Sequence, residues 1–431
     1  MAWDFSTDPE YSRTLEWVRQ FVDEYVTPLE LLDKPYREMQ PAIRVLQREV
    51  KERGLWAAHL GPDLGGAGFG QVKLTLLHEI LGRTLYAPLV FGNNAPDSGN
   101  TELLALAAEQ TGNSDLVRDW LQPLLNGEVQ SAFSMTEPGA GADPTMLSTT
   151  AVKDGDSWLI SGEKWFTTNA SLADFIIVMA VTDPDAPPRN RASLFIVPAG
   201  TAGLEVVCDI PSMEDPAERS GHFWSHSLVR YTDVRVPASN MVGRRGDGFV
   251  LAQQRLGPGR LHHSMRWLGQ AKRALEMLCE RAMSRTVFGS LLADKQTAQN
   301  WIADSRAELA AARLMTLHAA WTVDQFGSKA AQDEIAMIKY FGPQVLHNII
   351  DRAIQAHGSL GYSSFMPLES MYRAARSARI YDGPDEVHRV TVARHTLRDF
   401  TLHVTPSEYV PPRREAAERY FDSLLTQASV P

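Results

Sequence analysis

The sequence predicts an α+β multidomain chain. It has an α-helical N-terminal domain over residues 1–130, a middle β-barrel or sandwich over 131–242, a C-terminal four-helix bundle over 243–400 and a tail over 401–431. Three observations predict this order. Apolar residues recur at helical spacing to about residue 130, fall into short alternating or continuous runs to about 242, and return to helical spacing up to about 400. At roughly 100 to 200 residues per domain, a chain of 431 residues has room for several cores. Hydrophobic residues make up 44% and charged residues 22%, the balance of a compact globular chain.

The first helix is capped within Ser6 to Pro9, buries Leu15, Val18, Phe21, Val22 and Tyr25, and ends at Pro28. Further helical patterns cover about 41–53, 72–83, 101–111 and 114–125. The glycine-rich run Gly61–Gly70 reads as a loop, since it has neither the lysine nor the preceding strand of a phosphate cradle. Strands are expected at Val129–Met135, Ser157–Ser161, Phe175–Val181, Ser193–Val197 and Phe223–Arg230. With no long helices between them, they predict an antiparallel arrangement. Long helices then follow at Leu261–Val287, Ala293–Phe326 and Ala330–His357, with a last one after Pro384. The tail from Thr401 has prolines at its two ends and a short charged helix between them.

Composition excludes several classes. With 42 basic and 52 acidic residues the net charge is −10, which argues against nucleic acid and anionic membranes as main partners. The mixed-sign tail segment Pro411–Arg419 does not alter that balance. The most apolar run, Phe175–Val181, is far shorter than the roughly twenty residues needed to cross a bilayer, so no membrane insertion is expected. Two cysteines, Cys208 and Cys279, provide neither a disulfide framework nor a C-x-x-C site. No targeting segment is visible in M-A-W-D-F-S-T-D-P-E, and a cytoplasmic location is expected. His78-Glu79 lacks the second histidine of a zinc-protease helix, and no metal site is expected.

Two segments of the β module stand out. In Ser131-Ala-Phe-Ser-Met-Thr-Glu-Pro-Gly-Ala-Gly-Ala-Asp143 a strand ends directly before a Gly-Ala-Gly turn, exposing backbone N–H groups and the Thr136 hydroxyl. In Gly162-Glu-Lys-Trp-Phe-Thr-Thr-Asn-Ala170 two aromatic rings lie beside two hydroxyls and an amide, able to cover a flat heterocycle and to hydrogen-bond it.

These segments resemble the acyl-CoA dehydrogenase family, and so do Arg285-Thr-Val-Phe-Gly289, Gln355-Ala-His-Gly-Ser-Leu-Gly361 and Asp382-Gly-Pro-Asp-Glu-Val-His388, in the family's order. The resemblance implies an FAD flavoenzyme, acting on an acyl-CoA, passing electrons to an electron-transfer flavoprotein and assembling as a homodimer or homotetramer. It implies FAD contacts from Phe133, Met135, Thr136, Gly141, Phe166, Thr168, Arg285, Phe288, Gln355, Gly358 and Glu386. Arg285, Phe288, Gln355 and Gly358 would reach the dinucleotide of a neighbouring subunit. It implies substrate contacts from Ala142, Gly257, Arg260 and Gly383, with Asp382 as the catalytic base and Arg260 beside it.

The chemistry explains the last motif. Removing an unactivated α proton from a thioester while the β hydrogen leaves as hydride needs a carboxylate facing the flavin, and backbone N–H groups near the carbonyl. Asp382 stands where the family usually has Glu; its other reading is an N-cap for the helix entered through Pro384. The motif resembles a branch with Asp as base, which also carries Arg255-Leu-Gly-Pro-Gly-Arg-Leu-His-His263. In that run His262 and His263 read as helix packing or interface. Ala142 replaces a common Ser, Phe166 a common Trp, Ser359-Leu360 interrupts a Gly-Gly run, and Pro384 and Glu386 replace polar positions. A nitroalkane-oxidase-like or acyl-CoA-oxidase-like enzyme using O₂ is the alternative reading.

Overall fold

A computed structural model describes residues 3–32, 34–215, 225–398, 400 and 411–428. Helix α1 (Pro9–Phe21) is capped by the Asp8 carboxylate, which accepts the Tyr11 N–H at 2.8 Å, and Pro9 fills its first turn. Val18, Phe21 and Val22 are buried as expected, but Tyr25 is exposed. A π turn over Val22–Val26 adds a residue to the helical repeat, so Val26 takes the buried place that a regular helix would give Tyr25. α2 (Tyr36–Glu52), α3 (Gln71–Leu81), α4 (Ala87–Val90), α5 (Asp97–Thr111), α6 (Ser114–Leu116) and α7 (Gln122–Leu125) follow.

The middle strands are β1 (Ser131–Ser134), β2 (Thr150–Asp154), β3 (Ser157–Thr168), β4 (Phe175–Val181), β5 (Ala192–Pro198), β6 (Leu204–Asp209), β7 (His226–Pro237) and β8 (Met241–Val242). Their order is β6-β7-β3-β2-β4-β5-β8, with β1 against β4. Most pairs are antiparallel, but β1 and β2 both pair parallel with β4, so the wholly antiparallel expectation is corrected. The long excursion of the chain between β1 and β2 lets β1 enter alongside β4 in the same direction. Every residue of β4 but the last is buried, because both its faces are covered. Phe175, Ile177 and Met179 meet Leu103, Leu104 and Leu124 of the helical domain, while Ile176, Val178 and Ala180 meet Trp158, Val229 and Tyr231 across the curled sheet. The expected strand start at Phe223 lies outside the described residues.

The bundle contains α8 (Gly248–Ser284), the hairpin β9 (Thr286–Val287) and β10 (Ser290–Leu291), then α9 (Gln296–Phe326), α10 (Gln332–His357), α11 (Leu368–Ser377) and α12 (Asp385–Arg398). α8 starts before the expected Leu261: burial of Leu251 and Ala252 carries the helix through the Gly-Pro-Gly run. It also stops short of Val287, since Phe288 and Gly289 both take positive φ and close a tight hairpin. α11 is amphipathic and was not anticipated; Leu368, Met371 and Ala375 join the bundle core. The tail's first residues, from Thr401, lie outside the described residues, and α13 (Pro411–Ala428) follows them.

Several contacts tie the first domain to the bundle, and two of them lie at the ends of α3. Asp324 at the end of α9 accepts the Gln71 and Val72 N–H groups at 2.6 and 2.9 Å, capping α3 from another domain. Gly82, just past α3, lies against α8 so closely that a Cβ there would fall 2.1 Å from the Arg266 carbonyl oxygen. Gly82→Ala is therefore expected to force the two helices apart and lower stability by about 1–3 kcal/mol, read from the urea unfolding midpoint.

Candidate active site

The two segments that stand out in the sequence are joined by a buried ion pair. Lys164 on β3 donates to Glu137 Oε1 at 2.9 Å and to the Met135 carbonyl at 2.8 Å, and both charged side chains are inaccessible to solvent. Glu137 also accepts the Ser148 N–H and hydroxyl and the Thr149 N–H. Burial pushes the Glu137 carboxyl up, but Lys164 and these donors outweigh it and hold the group down at about 2. The Trp165 N–H completes the joint by donating to the Thr136 carbonyl at 3.0 Å. Met135 and Thr136 are thus fixed beside Trp165 and Phe166.

A β-bulge then re-aims the ring expected to meet the flavin. Between Lys164 and Thr167, β3 carries one residue more than β7 does between Val229 and Ser227. Phe166 sits in that extra step at φ +49°, 44% exposed, with the Trp165 ring edge-on at 5.2 Å. Thr168 Oγ1 lies 2.9 Å from His226 Nδ1, a partner the sequence reading missed. An exposed ring standing off a rigid sheet, next to a hydroxyl, is a surface that fits an isoalloxazine.

Phe133 faces a different group. The Arg255 guanidinium lies over its ring at 4.2 Å and donates to Asn100 Oδ1 at 2.8 Å, so one side chain of α8 meets β1 and α5. Burial lowers the Arg255 pKa to about 10 against the opposing pull of Asp382, Glu102 and Asp97. Gly141 and Ala142 are exposed on the turn after β1. Gly257 lies inside α8.

Asp382 occupies a strained turn between α11 and α12, with φ +56°, followed by Gly383 at +98°. Three side chains from three helices grip its backbone. Arg260 Nε of α8 donates to the Asp382 carbonyl at 3.1 Å, and His388 Nε2 of α12 lies 3.2 Å from the same oxygen. Lys339 Nζ of α10 donates to the carbonyls of Ala378 and Gly383 at 2.9 and 3.2 Å. Arg260 therefore meets the backbone of Asp382 and not its carboxylate. Among the described residues, the carboxylate caps no N–H of α12; the nearest ionisable partner is His263 Nε2, at 3.9 Å from Oδ2. The alternative reading of Asp382 as a helix cap is thereby corrected: held at positive φ, its carboxylate accepts no α12 N–H. His262 is buried on α8 and His263 partly so, and His263 Nε2 faces the Asp382 carboxylate in addition to packing.

The surroundings are cationic, and burial loosens the hold of each of these groups on its proton. Burial lowers Lys339 to about 8, Arg266 to about 10 and His388 to about 4. His262 and His263 are held well below the ordinary histidine value, first by burial and then by charged neighbours that include Arg266. The sequence reading missed Lys339 and Arg266, gave no role to Arg255 or His388, and assigned His263 to packing or interface; an isolated lysine in a helix carries no motif.

Arg285, Phe288, Gln355, Gly358 and Glu386 are exposed, and Phe288 at the hairpin tip is fully so. A separate polar cavity of about 240 Å³ lies between α2, α5 and β1, lined by Tyr36, Gln40, His59, Asp97 and Gln130, on the side of α5 away from Arg255.

Three family profiles match in chain order: acyl-CoA dehydrogenase N-terminal domain at residues 8–128, middle domain at 132–214 and C-terminal domain at 246–397. The chain belongs to the acyl-CoA dehydrogenase family. The family is one of FAD-dependent oxidoreductases. The chain is 42% identical over 361 residues to "Probable acyl-CoA dehydrogenase FadE2" of Mycobacterium tuberculosis, covering 83% of this chain and 86% of that one. It is 37% identical over 409 residues to acyl-CoA dehydrogenase family member 11 of Rattus norvegicus, covering 92% of this chain and 51% of the rat protein. The chain thus spans about half the length of that relative. Butyryl-CoA dehydrogenase from Megasphaera elsdenii superposes with a TM-score of 0.77 at 27% identity, over 92% of this chain and 100% of that one.

The buried pair joins the two segments and is open to test. Lys164→Met would leave Glu137 charged and buried without its counter-ion, and a loss of about 3–5 kcal/mol is expected in chemical denaturation.

Proposed function

We propose that this acyl-CoA dehydrogenase converts an acyl-CoA thioester to its 2-enoyl-CoA, with Asp382 removing the α proton. One observation carries the reading: Asp382 is presented by a strained turn whose carbonyls are tied off by Arg260, Lys339 and His388, leaving its carboxylate for another partner. Gly383, next in the turn, is the backbone position we assign to the thioester carbonyl. FAD, when bound, supplies the acceptor for the β hydrogen as hydride. Phe133, Met135, Thr136, Gly141, Phe166 and Thr168 would hold its ring, and an electron-transfer flavoprotein would take the electrons onward. Ala142, Gly257 and Arg260 remain candidate substrate contacts.

The rest of the cofactor calls for a second copy of the chain. Arg285, Phe288, Gln355, Gly358 and Glu386 are solvent-exposed, and a bare phenylalanine on a hairpin tip suits an interface. We therefore propose a homodimer or homotetramer in which these residues close over the neighbour's dinucleotide.

Asp382→Asn, with FAD still bound, is expected to slow flavin bleaching by acyl-CoA about 10²–10⁴-fold in anaerobic stopped flow. Full-rate bleaching by the variant would remove Asp382 as the base, and turnover of nitroalkanes with O₂ but no bleaching by acyl-CoA would favour the oxidase reading. Phe288→Asp is expected to lower the assembly state in light scattering and to reduce FAD content per chain; an unchanged assembly with full FAD would separate the hairpin from the cofactor.

A further inference from the structure

His263 and Arg266 lie one turn apart on α8, the first facing Asp382 and the second facing the first. Arg266 Nη2 is 3.3 Å from His263 Nδ1, and Arg266 Nη1 donates to the Asn93 carbonyl at 2.9 Å, which fixes the guanidinium on the helical domain. A guanidinium has only donors. The favourable arrangement of this contact therefore makes Nδ1 the acceptor, and in a neutral imidazole the single proton must then sit on Nε2. Nε2 is the atom that faces Asp382 Oδ2, at 3.9 Å. Contacts of this kind commonly shorten to hydrogen-bond length in the Michaelis complex. The ring is held in place by Trp267 and Tyr381, with centroids at 6.2 and 5.4 Å, and the Tyr381 hydroxyl in turn accepts the Trp267 indole N–H at 2.9 Å.

We propose that His263 is a positioning residue for the base: Arg266 selects its Nε2–H tautomer, and that N–H donates to Asp382 Oδ2, turning the other carboxylate oxygen toward the substrate's α proton. The proposal rests on the reading of Asp382 as base and adds to it the donor that orients the carboxylate. Its neutral state fits the surroundings, since burial and then Arg266, His262, Lys339 and Arg255 all disfavour a second proton on the ring. With Nε2 already protonated, His263 cannot take the substrate's proton from Asp382 through that atom. Its part is orientation and not relay.

The side chains of Gln and Asn separate the two ring nitrogens: the Gln amide reaches the place of Nε2, the Asn amide only that of Nδ1. In the FAD-loaded full chain, anaerobic flavin reduction is measured with butyryl-, octanoyl-, palmitoyl- and glutaryl-CoA, using whichever bleaches the wild type fastest. His263→Gln is expected to stay within about threefold of wild type, and His263→Asn to lose about 10- to 100-fold, the worth of a hydrogen bond to a charged group. The loss should fall on the limiting reduction rate and leave the substrate dissociation constant, FAD content and melting temperature in place. Equal rates for the two variants, or a loss confined to substrate binding, would overturn the proposal. A second readout needs no substrate. Histidine-selective ¹⁵N labelling, with His263 identified by its absence in His263→Gln, should show a bare Nδ1 and a protonated Nε2 at about pH 7, and mixed tautomers in Arg266→Met. A protonated Nδ1 in the wild type would equally refute it. If Asp382→Asn bleaches at full rate, the assignment of the base fails, while the tautomer measurement still decides the Arg266–His263 contact.

Discussion

The left-handed turn at Asp382–Gly383 is the constraint on which the rest of the site depends. A non-glycine residue held at φ +56° costs of the order of 1–3 kcal/mol, so the turn persists only because its surroundings over-determine it. They do so with donors from α8, α10 and α12, each aimed at a carbonyl and none at the carboxylate. The strain and the clamp are two sides of one arrangement. Had Asp382 been free to relax into an extended conformation, its side chain could have capped α12, the role its position before Pro384 also suggests.

The same logic of partial satisfaction runs through the interior. Glu137 and Lys164 are charges inside a β domain, and they are tolerated because each is surrounded by the opposite charge or by hydrogen-bond partners. What the pair provides is geometry: it fixes the turn after β1 to the bulge of β3. Arg255 does the equivalent work between domains, touching α5 through Asn100 and β1 through Phe133 while its own backbone belongs to the bundle. A single guanidinium thus touches side chains of the first helical domain and of the β domain from its place on the bundle.

The order of helices, strands and helices was legible because hydrophobic periodicity is a local property; β4 was read at its observed limits, Phe175–Val181, from its continuous apolar run. Local reading failed where tertiary packing adds or removes a residue. The π turn at Val22–Val26 rotated Tyr25 out to solvent, burial of Leu251 and Ala252 extended α8 backwards through glycine and proline, and the hairpin at Phe288 cut it short. The parallel pairing of β1 and β2 with β4 was likewise hidden, since strand direction depends on the path of the intervening chain.

For the site, the sequence by itself determined which residues stand in motifs: Asp382 with Gly383, Glu137 in its strand-end turn, Lys164 beside Trp165 and Phe166. It also determined the family, because ordered blocks of residues survive as text. Only the tertiary structure decided what surrounds them. Arg260 reaches a backbone carbonyl, Lys339 crosses from α10 without any motif, and His263 turns toward the Asp382 carboxylate although its neighbour His262 stacks on His78 instead. The physical reason is that hydrogen bonds and charge act through distance in space, and residues 122 positions apart, such as Arg260 and Asp382, have no relation along the chain until the helices that carry them are packed.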